Sequence, residues 1–163
     1  MKNILIISDT HGRINKAMEL IDRYHPDAII HAGDYTGDAE DLMAVYPSID
    51  MYYVRGNNDF HSRANDDLLF ELDGVRIFVT HGHGYNVKYA DQYKFDFPTL
   101  RAHAKKLGAK LCVFGHTHMP YSNIMDGMTI INPGSAGAFT GSYAIAKLDR
   151  GKVYTTLLNC LER

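Results

Sequence analysis

The sequence predicts a layered α/β fold: two mixed β-sheets packed face to face, with helices on the outside. Three observations predict it. The first half alternates strand-like and helix-like stretches, the second half is rich in hairpin turns, and the first strand-like stretch is apolar along nearly its whole length. At 163 residues the chain is expected to form one domain, 1–163, with enough residues for a real core and few to spare for a cap.

Residues 2–8 form the nearly continuous apolar run expected of a parallel strand covered on both faces. Asn15–Tyr24 then places Met18, Ile21 and Tyr24 at helical spacing, and Pro26 ends that helix. Residues 27–31 read as a second strand. Residues 38–46 read as a short helix opened by acidic side chains, which suit a helix N-terminus. Residues 51–54 make a third strand. After Asp67 the pattern changes: residues 68–72 and Val75–Thr80 flank an Asp73-Gly74 turn, a hairpin signal. Residues 98–107 form a helix stopped by Gly108, and 111–114 another buried strand. Two more hairpin turns fall at residues 125–128 and 149–151.

Composition excludes several function classes. The formal net charge is −2 and no basic run stands out, so no specific reading of nucleic acid is expected. No apolar run approaches the roughly 18 residues of a membrane span, and residues 4–7 are too short an apolar stretch for a signal peptide. Cys112 and Cys160 lie far apart among apolar residues, as reduced core thiols do. The expected compartment is the cytoplasm.

Five short segments carry side chains suited to hard metal ions, and each follows a strand-like run: Asp9-Thr10-His11, Gly33-Asp34, Gly56-Asn57-Asn58-Asp59, His81-Gly82-His83 and Gly115-His116-Thr117-His118. Open α/β sheets place their sites at the carboxyl ends of strands, so these five ends are expected to converge. Gly33, Gly56, Gly82 and Gly115 are expected to let the backbone turn tightly there. The candidate ligands are Asp9, His11, Asp34, Asn57, His81, His116 and His118. Carboxylate oxygens and imidazoles suit Mn²⁺, Fe and Zn²⁺, whereas a thiolate site would need cysteine. Such a set is large enough for two adjacent ions, which can clamp the attacking and leaving oxygens of an in-line displacement. The residues therefore point to a two-metal hydrolase acting on a phosphate.

In this order, Asp-x-His, Gly-Asp, Gly-Asn-x-Asp, His-Gly-His and Gly-His-Thr-His resemble the calcineurin-like metallophosphoesterases. The similarity spans residues 9–118, and Asn132-Pro133-Gly134-Ser135 resembles the turn that follows in that family. The chain is most similar to the small, cap-less, YfcE-like phosphodiesterase branch. The resemblance implies a four-layer αββα sandwich. It implies one metal on Asp9, His11, Asp34 and His118, and a second on Asp34, Asn57, His81 and His116, with Asp34 bridging. It implies a metal-bound hydroxide attacking the phosphorus of a small phosphate diester, with Asp34, Asn58 and His116 as the catalytic residues. Two divalent ions are implied, Mn²⁺ in the first place, with Zn, Ni, Fe or Co as alternatives. Asn58 departs from the commoner pattern, in which histidine stands after the liganding asparagine. Asparagine cannot act as an acid, so diesters with good leaving groups are favoured over alkyl phosphates.

Other readings remain beside this one. A phosphomonoesterase or nucleotide phosphatase would use the same ligands. The small scaffold subunit of retromer shares the fold with a degraded site, and an intact ligand set argues against that role here. A homodimer is allowed. His31 is expected to be buried, and Asp59 to accept a bond from a backbone amide or a liganding imidazole. His83 is open between lining the site and a supporting or surface role. Tyr35, Tyr85 and Phe139 are read as loop packing before base stacking, Arg13 and Arg55 as surface residues, and Leu42 and Met43 as core. Residues 87–96 are expected to form a loop or short helix beside the site, and His25, His61 and His103 receive no role.

Overall fold

The computed structural model describes residues 1–88 and 96–160. These residues form β1 (Lys2–Ile7), α1 (Asn15–Tyr24), β2 (Ala28–His31), α2 (Thr36–Val45), β3 (Asp50–Tyr53), β4 (Asp67–Leu72), β5 (Val75–Thr80), α3 (Pro98–Lys106), β6 (Leu111–Val113), β7 (Tyr121–Met125), β8 (Met128–Asn132), β9 (Ser142–Asp149) and β10 (Lys152–Asn159). The expectation for residues 87–96 falls almost wholly outside the described residues.

Two five-stranded sheets result, ordered β10-β9-β1-β2-β3 and β4-β5-β6-β8-β7. In the first, β1, β2 and β3 are parallel, with Ile4 beside Ala28 and Ala28 beside Asp50. In the second, β5, β6 and β8 are parallel. Antiparallel pairs add β9 and β10 to one side of the first sheet and β4 and β7 to the two edges of the second, so both sheets are mixed.

Side-chain alternation along the central strands builds the layers. Ile4 and Ile6 of β1 and Ile30 of β2 meet Ile77 and Val79 of β5 and Val113 of β6 in one core between the sheets. The alternate residues Leu5, Ile7 and Ile29 face outward, onto Ala17, Leu20 and Ile21 of α1 and Leu42 of α2. On the far side Phe78, Cys112 and Ile130 pack against Leu100 and Ala104 of α3. The order is helix, sheet, sheet, helix. A strand buried on both faces must be apolar at every position, which is why β1 shows no polar alternation.

Two local expectations need correction. Helix α2 begins at Thr36, not 38, because its first amides find a cap from another loop: Asp59 Oδ1 accepts from Tyr35 N at 2.7 Å and Thr36 N at 3.0 Å. Met43 is 40% exposed and is not part of the core, whereas Leu42 is fully buried.

Candidate metal centre

The carboxyl ends of β1, β2, β3, β5 and β6 carry the five motifs, and the packing of the two sheets brings them to one cup. Asp9, His11, Asp34 and His118 each offer a ligand atom, and these atoms all lie within 4.8 Å of one another. His81 joins them from the second sheet, its Nε2 lying 3.5 Å from Asp34 Oδ1 and 3.9 Å from Asp9 Oδ1. Asn57 Oδ1 is 2.9 Å from the same nitrogen, and the His116 ring stands edge-on to His81 with centroids 5.0 Å apart. All seven predicted donors are therefore neighbours.

The backbone is unusual at these positions. Asp9, His11, Asp34, His116 and His118 have φ between 51° and 68°, in the left-handed region that side-chain-bearing residues seldom occupy. Five of the seven donors thus sit in a conformation that persists only where surrounding structure over-determines it. That structure is visible. Ser8 Oγ donates to Asp9 Oδ2. Ser135 Oγ and Gly137 N donate to Asp9 O at 2.8 and 3.2 Å, and Ala136 N donates to Ser8 O at 2.9 Å. Asn132 Nδ2 donates to Gly115 O at 2.9 Å and Thr117 Oγ1 at 3.0 Å, so the turn after β8 clamps both ligand loops.

A second brace lies beneath. Thr10 Oγ1 donates to Asp38 Oδ2 at 2.6 Å and, its single hydrogen so committed, accepts from His31 Nε2 at 3.0 Å. Gly33 N donates to His31 Nδ1 at 3.2 Å, which fixes the tautomer, and Gly12 N donates to Asp38 Oδ2 at 2.7 Å. Full burial holds the His31 imidazole below its ordinary pKa, so it stays neutral, as this network needs. Asp59 Oδ2 accepts from Gly56 N at 2.8 Å, tying the Asn57 loop to the start of α2. The sequence motifs did not single out Ser8, Thr10, Asp38, Asn132 or Ser135 for these roles. Their one legible signal was polar residues standing next to or between apolar strand ends.

The glycines act differently from expectation. Gly33 and Gly82 do have positive φ, 99° and 106°. Gly56 and Gly115 do not; they matter for space. A Cβ at Gly56 would overlap the Asp34 carboxylate, and one at Gly115 would meet Ser8 Oγ and Asp9 Oδ2.

Electrostatics and donor directions show whether a cation fits. His81 is fully buried and its Nδ1–H donates to Ala32 O at 2.8 Å. In the neutral ring, Nε2 is then a bare lone pair facing the oxygens of Asn57, Asp34 and Asp9. Lone pairs turned on one another in a buried site need a positive centre between them. The donor set of carboxylate, amide oxygen and imidazole suits a divalent ion of the Mn²⁺ to Zn²⁺ range. Burial works against ionisation of Asp9, yet the bonds from His118 and the Ser8 hydroxyl hold its carboxyl below the usual range. That bond, 3.1 Å long, raises the His118 pKa. Burial lowers His116 to about 4, leaving it neutral with a lone pair free at pH 7.

Asn58 turns toward the cup. Its backbone N donates to Asp34 Oδ1 at 3.1 Å and its Nδ2 to Asp34 Oδ2 at 2.8 Å, so the side chain orients that carboxylate. The His83 ring lies 5.6 Å from His81 and 6.2 Å from His116, at the exposed rim. Tyr35 is the α2 N-cap residue and stands edge-on to His11 at 5.0 Å. Tyr85 donates to Asp67 and packs on Phe78, ordinary loop packing as expected. Phe139 is 88% exposed and is not packed. Arg55 pairs with Asp66, and Arg13 donates to Gly137 O.

The calcineurin-like phosphoesterase superfamily domain matches residues 1–151. The chain belongs to this family. A probable metallophosphoesterase of Bacillus subtilis, YsnB, is 35% identical over 155 residues, covering 90% of this chain and 85% of its own. A phosphodiesterase of Methanocaldococcus jannaschii, MJ0936, is 28% identical over 170 residues, covering 90% and 92%. Among solved structures, a predicted phosphoesterase of Streptococcus pneumoniae superposes with a TM-score of 0.78 at 26% identity, covering 98% of this chain and 90% of that one. Vps29 of Entamoeba histolytica, complexed with Zn²⁺, superposes at 0.71 with 17% identity, covering 97% and 99%, a likeness of fold alone. Membership supports a phosphoesterase with a divalent-metal site. No helix of the described residues is long and apolar enough to cross a membrane.

Proposed function

We propose that the protein is a metal-dependent phosphodiesterase that hydrolyses small phosphate diesters at a dinuclear centre. The observation that carries this is the buried His81 Nε2, faced by oxygens of Asn57, Asp34 and Asp9 at 2.9 to 3.9 Å. One ion would be held by Asp9, His11, Asp34 and His118, and the other by Asp34, Asn57, His81 and His116, with Asp34 shared. When bound, such a pair supplies Lewis acidity toward phosphoryl oxygens and a water acidic enough to attack near neutral pH.

The chain's own groups do the rest. Two carboxylates leave a doubly charged pair of cations with net positive charge, which attracts and seats an anionic diester. Asn58 fixes the Asp34 carboxylate with one amide hydrogen and has a second to offer a phosphate oxygen. Neither Asn58 nor a His116 already neutral at pH 7 is suited to protonate a leaving group. The enzyme therefore favours diesters with good leaving groups and acts weakly on alkyl esters. Mn²⁺ is the proposed ion, the cytoplasm the proposed compartment, and the protein works on small soluble substrates with no membrane partner; a net charge of −2 supports this over nucleic-acid binding.

The test is hydrolysis by chelator-stripped protein with Mn²⁺, Zn²⁺, Ni²⁺ and Mg²⁺ restored singly. Bis(p-nitrophenyl) phosphate, p-nitrophenyl phosphate and methyl p-nitrophenyl phosphate form the substrate panel, and Asp34→Ala runs beside it. Metal-dependent cleavage of the bis-aryl diester, lost in the variant, is expected. A stronger reaction on the monoester would indicate a phosphomonoesterase. Tight metal binding without turnover would favour a binding scaffold.

A further inference from the structure

Beside the cup, the loop after β3 and the start of α2 enclose an open cavity of about 490 Å³, within the roughly 300–1,000 Å³ usual for small-molecule sites. Asn58 belongs to both places: it lines the cavity and its Nδ2 donates to Asp34 Oδ2 at 2.8 Å. The cavity therefore adjoins the Asp34 carboxylate, within reach of a group attached to a phosphate seated there. Phe60 lines it with a side chain that is 81% exposed, although every other phenylalanine of the described residues except Phe139 is at least partly buried. The cavity's charged lining residues are acidic Glu40 and Asp59 and basic Arg63, so it carries no net attraction for a second phosphate. Thr36 and Ser62 add hydroxyls that serve a polar, uncharged group.

Neighbouring cavities lack this combination. One, of about 440 Å³ beside His83, has its charged groups already engaged, Arg55 with Asp66 and Tyr85 with Asp67. Another, of about 320 Å³ beside His118, offers Leu157 and Leu158 but no Phe, Tyr or Trp ring and no charge of fixed sign.

We propose that the cavity between α2 and residues 58–63 is an arm-binding subsite that takes an uncharged, ring-bearing group of nucleoside type, stacked on Phe60. This rests on the phosphodiesterase reading and names the substrate class of that same site. A flat ring over an exposed phenyl face, with hydroxyls and amides at its edge, is the general way proteins hold a nucleobase without reading its identity. The subsite would therefore prefer diesters with one nucleoside arm to diesters with a small alkyl arm, without strong choice among bases.

The experiment compares two diesters that release the same p-nitrophenol: the p-nitrophenyl ester of thymidine 5′-phosphate and methyl p-nitrophenyl phosphate. Wild type, Phe60→Ala and Phe60→Trp are assayed with Mn²⁺. Phe60→Ala is expected to lower kcat/KM for the thymidine ester about tenfold, to leave the methyl ester within about twofold, and Phe60→Trp to restore the preference. Because Phe60 is so exposed, its loss should not unfold the chain. Equal effects on both esters, or none on either, would overturn the subsite. If neither ester is hydrolysed, the phosphodiesterase reading fails first. Binding of the thymidine ester by calorimetry then decides the subsite alone: affinity lost about tenfold in Phe60→Ala supports it, and affinity independent of Phe60 overturns it.

Discussion

Gly56→Ala separates the geometry of the cup from the stability of the fold. A Cβ at Gly56 would overlap Asp34 Oδ1 and lie 2.5 Å from Asp34 N, where ordinary contact begins near 3.4 Å. Even the backbone nitrogen must give by about 0.9 Å, and the carboxylate by more. Asp34 is the donor shared by both proposed ions, so the strain falls on the one residue that no neighbour can replace. A misplacement of about 1 Å near the chemistry can cost 10²-fold in rate, so kcat/KM should fall about 100-fold, equivalent to about 2.7 kcal/mol. The overpacking should cost only about 1–3 kcal/mol of stability, leaving the chain folded. Gly37→Ala is the matched control: its Cβ would meet nothing within 4 Å, and it lies in α2, where alanine gains about 0.5–1 kcal/mol over glycine. Thermal melts, calorimetric Mn²⁺ titration and diester hydrolysis should be run on all three proteins. A Gly56→Ala protein with wild-type metal affinity and turnover would refute the close approach on which this reasoning stands.

Three further outcomes are expected. Thr10→Val removes the hydroxyl shared by Asp38 and His31, leaving the buried His31 Nε2–H without an acceptor and Asp38 Oδ2 with the Gly12 amide alone, which should cost about 3 kcal/mol and about 8 °C in melting temperature. Metal affinity should fall about 10- to 100-fold, while Thr10→Ser stays near wild type in both readouts. At His116, φ is 68°, so glycine should be the better replacement: metal-free His116→Gly should melt above His116→Ala by the equivalent of about 1 kcal/mol. Equal melts would show that the left-handed backbone carries no strain. The third outcome concerns pH. His118 has a raised pKa in the metal-free fold because it bonds to Asp9, so that pair stabilises the metal-free protein fully below pH 6.5 and less as pH rises through the raised value. A metal must displace the same proton, so calorimetric affinity should climb with pH across that window. His116, lowered to about 4, should add no slope above pH 5. An affinity flat between pH 6 and 8 would contradict the His118 assignment.

The layers were legible because burial on two faces leaves a plain mark. β1 and β6 are apolar at almost every position, and the 73–74 turn sits between two patterned runs. The ligand loops were legible for a related reason: polar residues that follow a buried strand without a gap have few places to go except a site at the sheet edge. What sequence could not give was contact between distant loops. The start of α2 is set by Asp59, 23 residues beyond the amide it caps. The clamp from Asn132 and Ser135 reaches ligand loops 15 and 126 residues away. Gly56 and Gly115 looked like turn residues, since a glycine kept for its missing Cβ and one kept for its backbone freedom read alike. Met43 was misplaced because it follows Leu42 directly: adjacent helix residues point about 100° apart, so with Leu42 buried Met43 turns toward solvent.

In the proposed centre Asp9, His11, Asp34, Asn57, His81, His116 and His118 hold two ions that share Asp34. Anomalous diffraction from crystals grown with Mn²⁺ tests it most directly. Two peaks about 3.5–4 Å apart are expected, with the Asp34 carboxylate between them, His11 and His118 on one side and His81 and His116 on the other. A single peak, or two peaks without Asp34 between them, would contradict it.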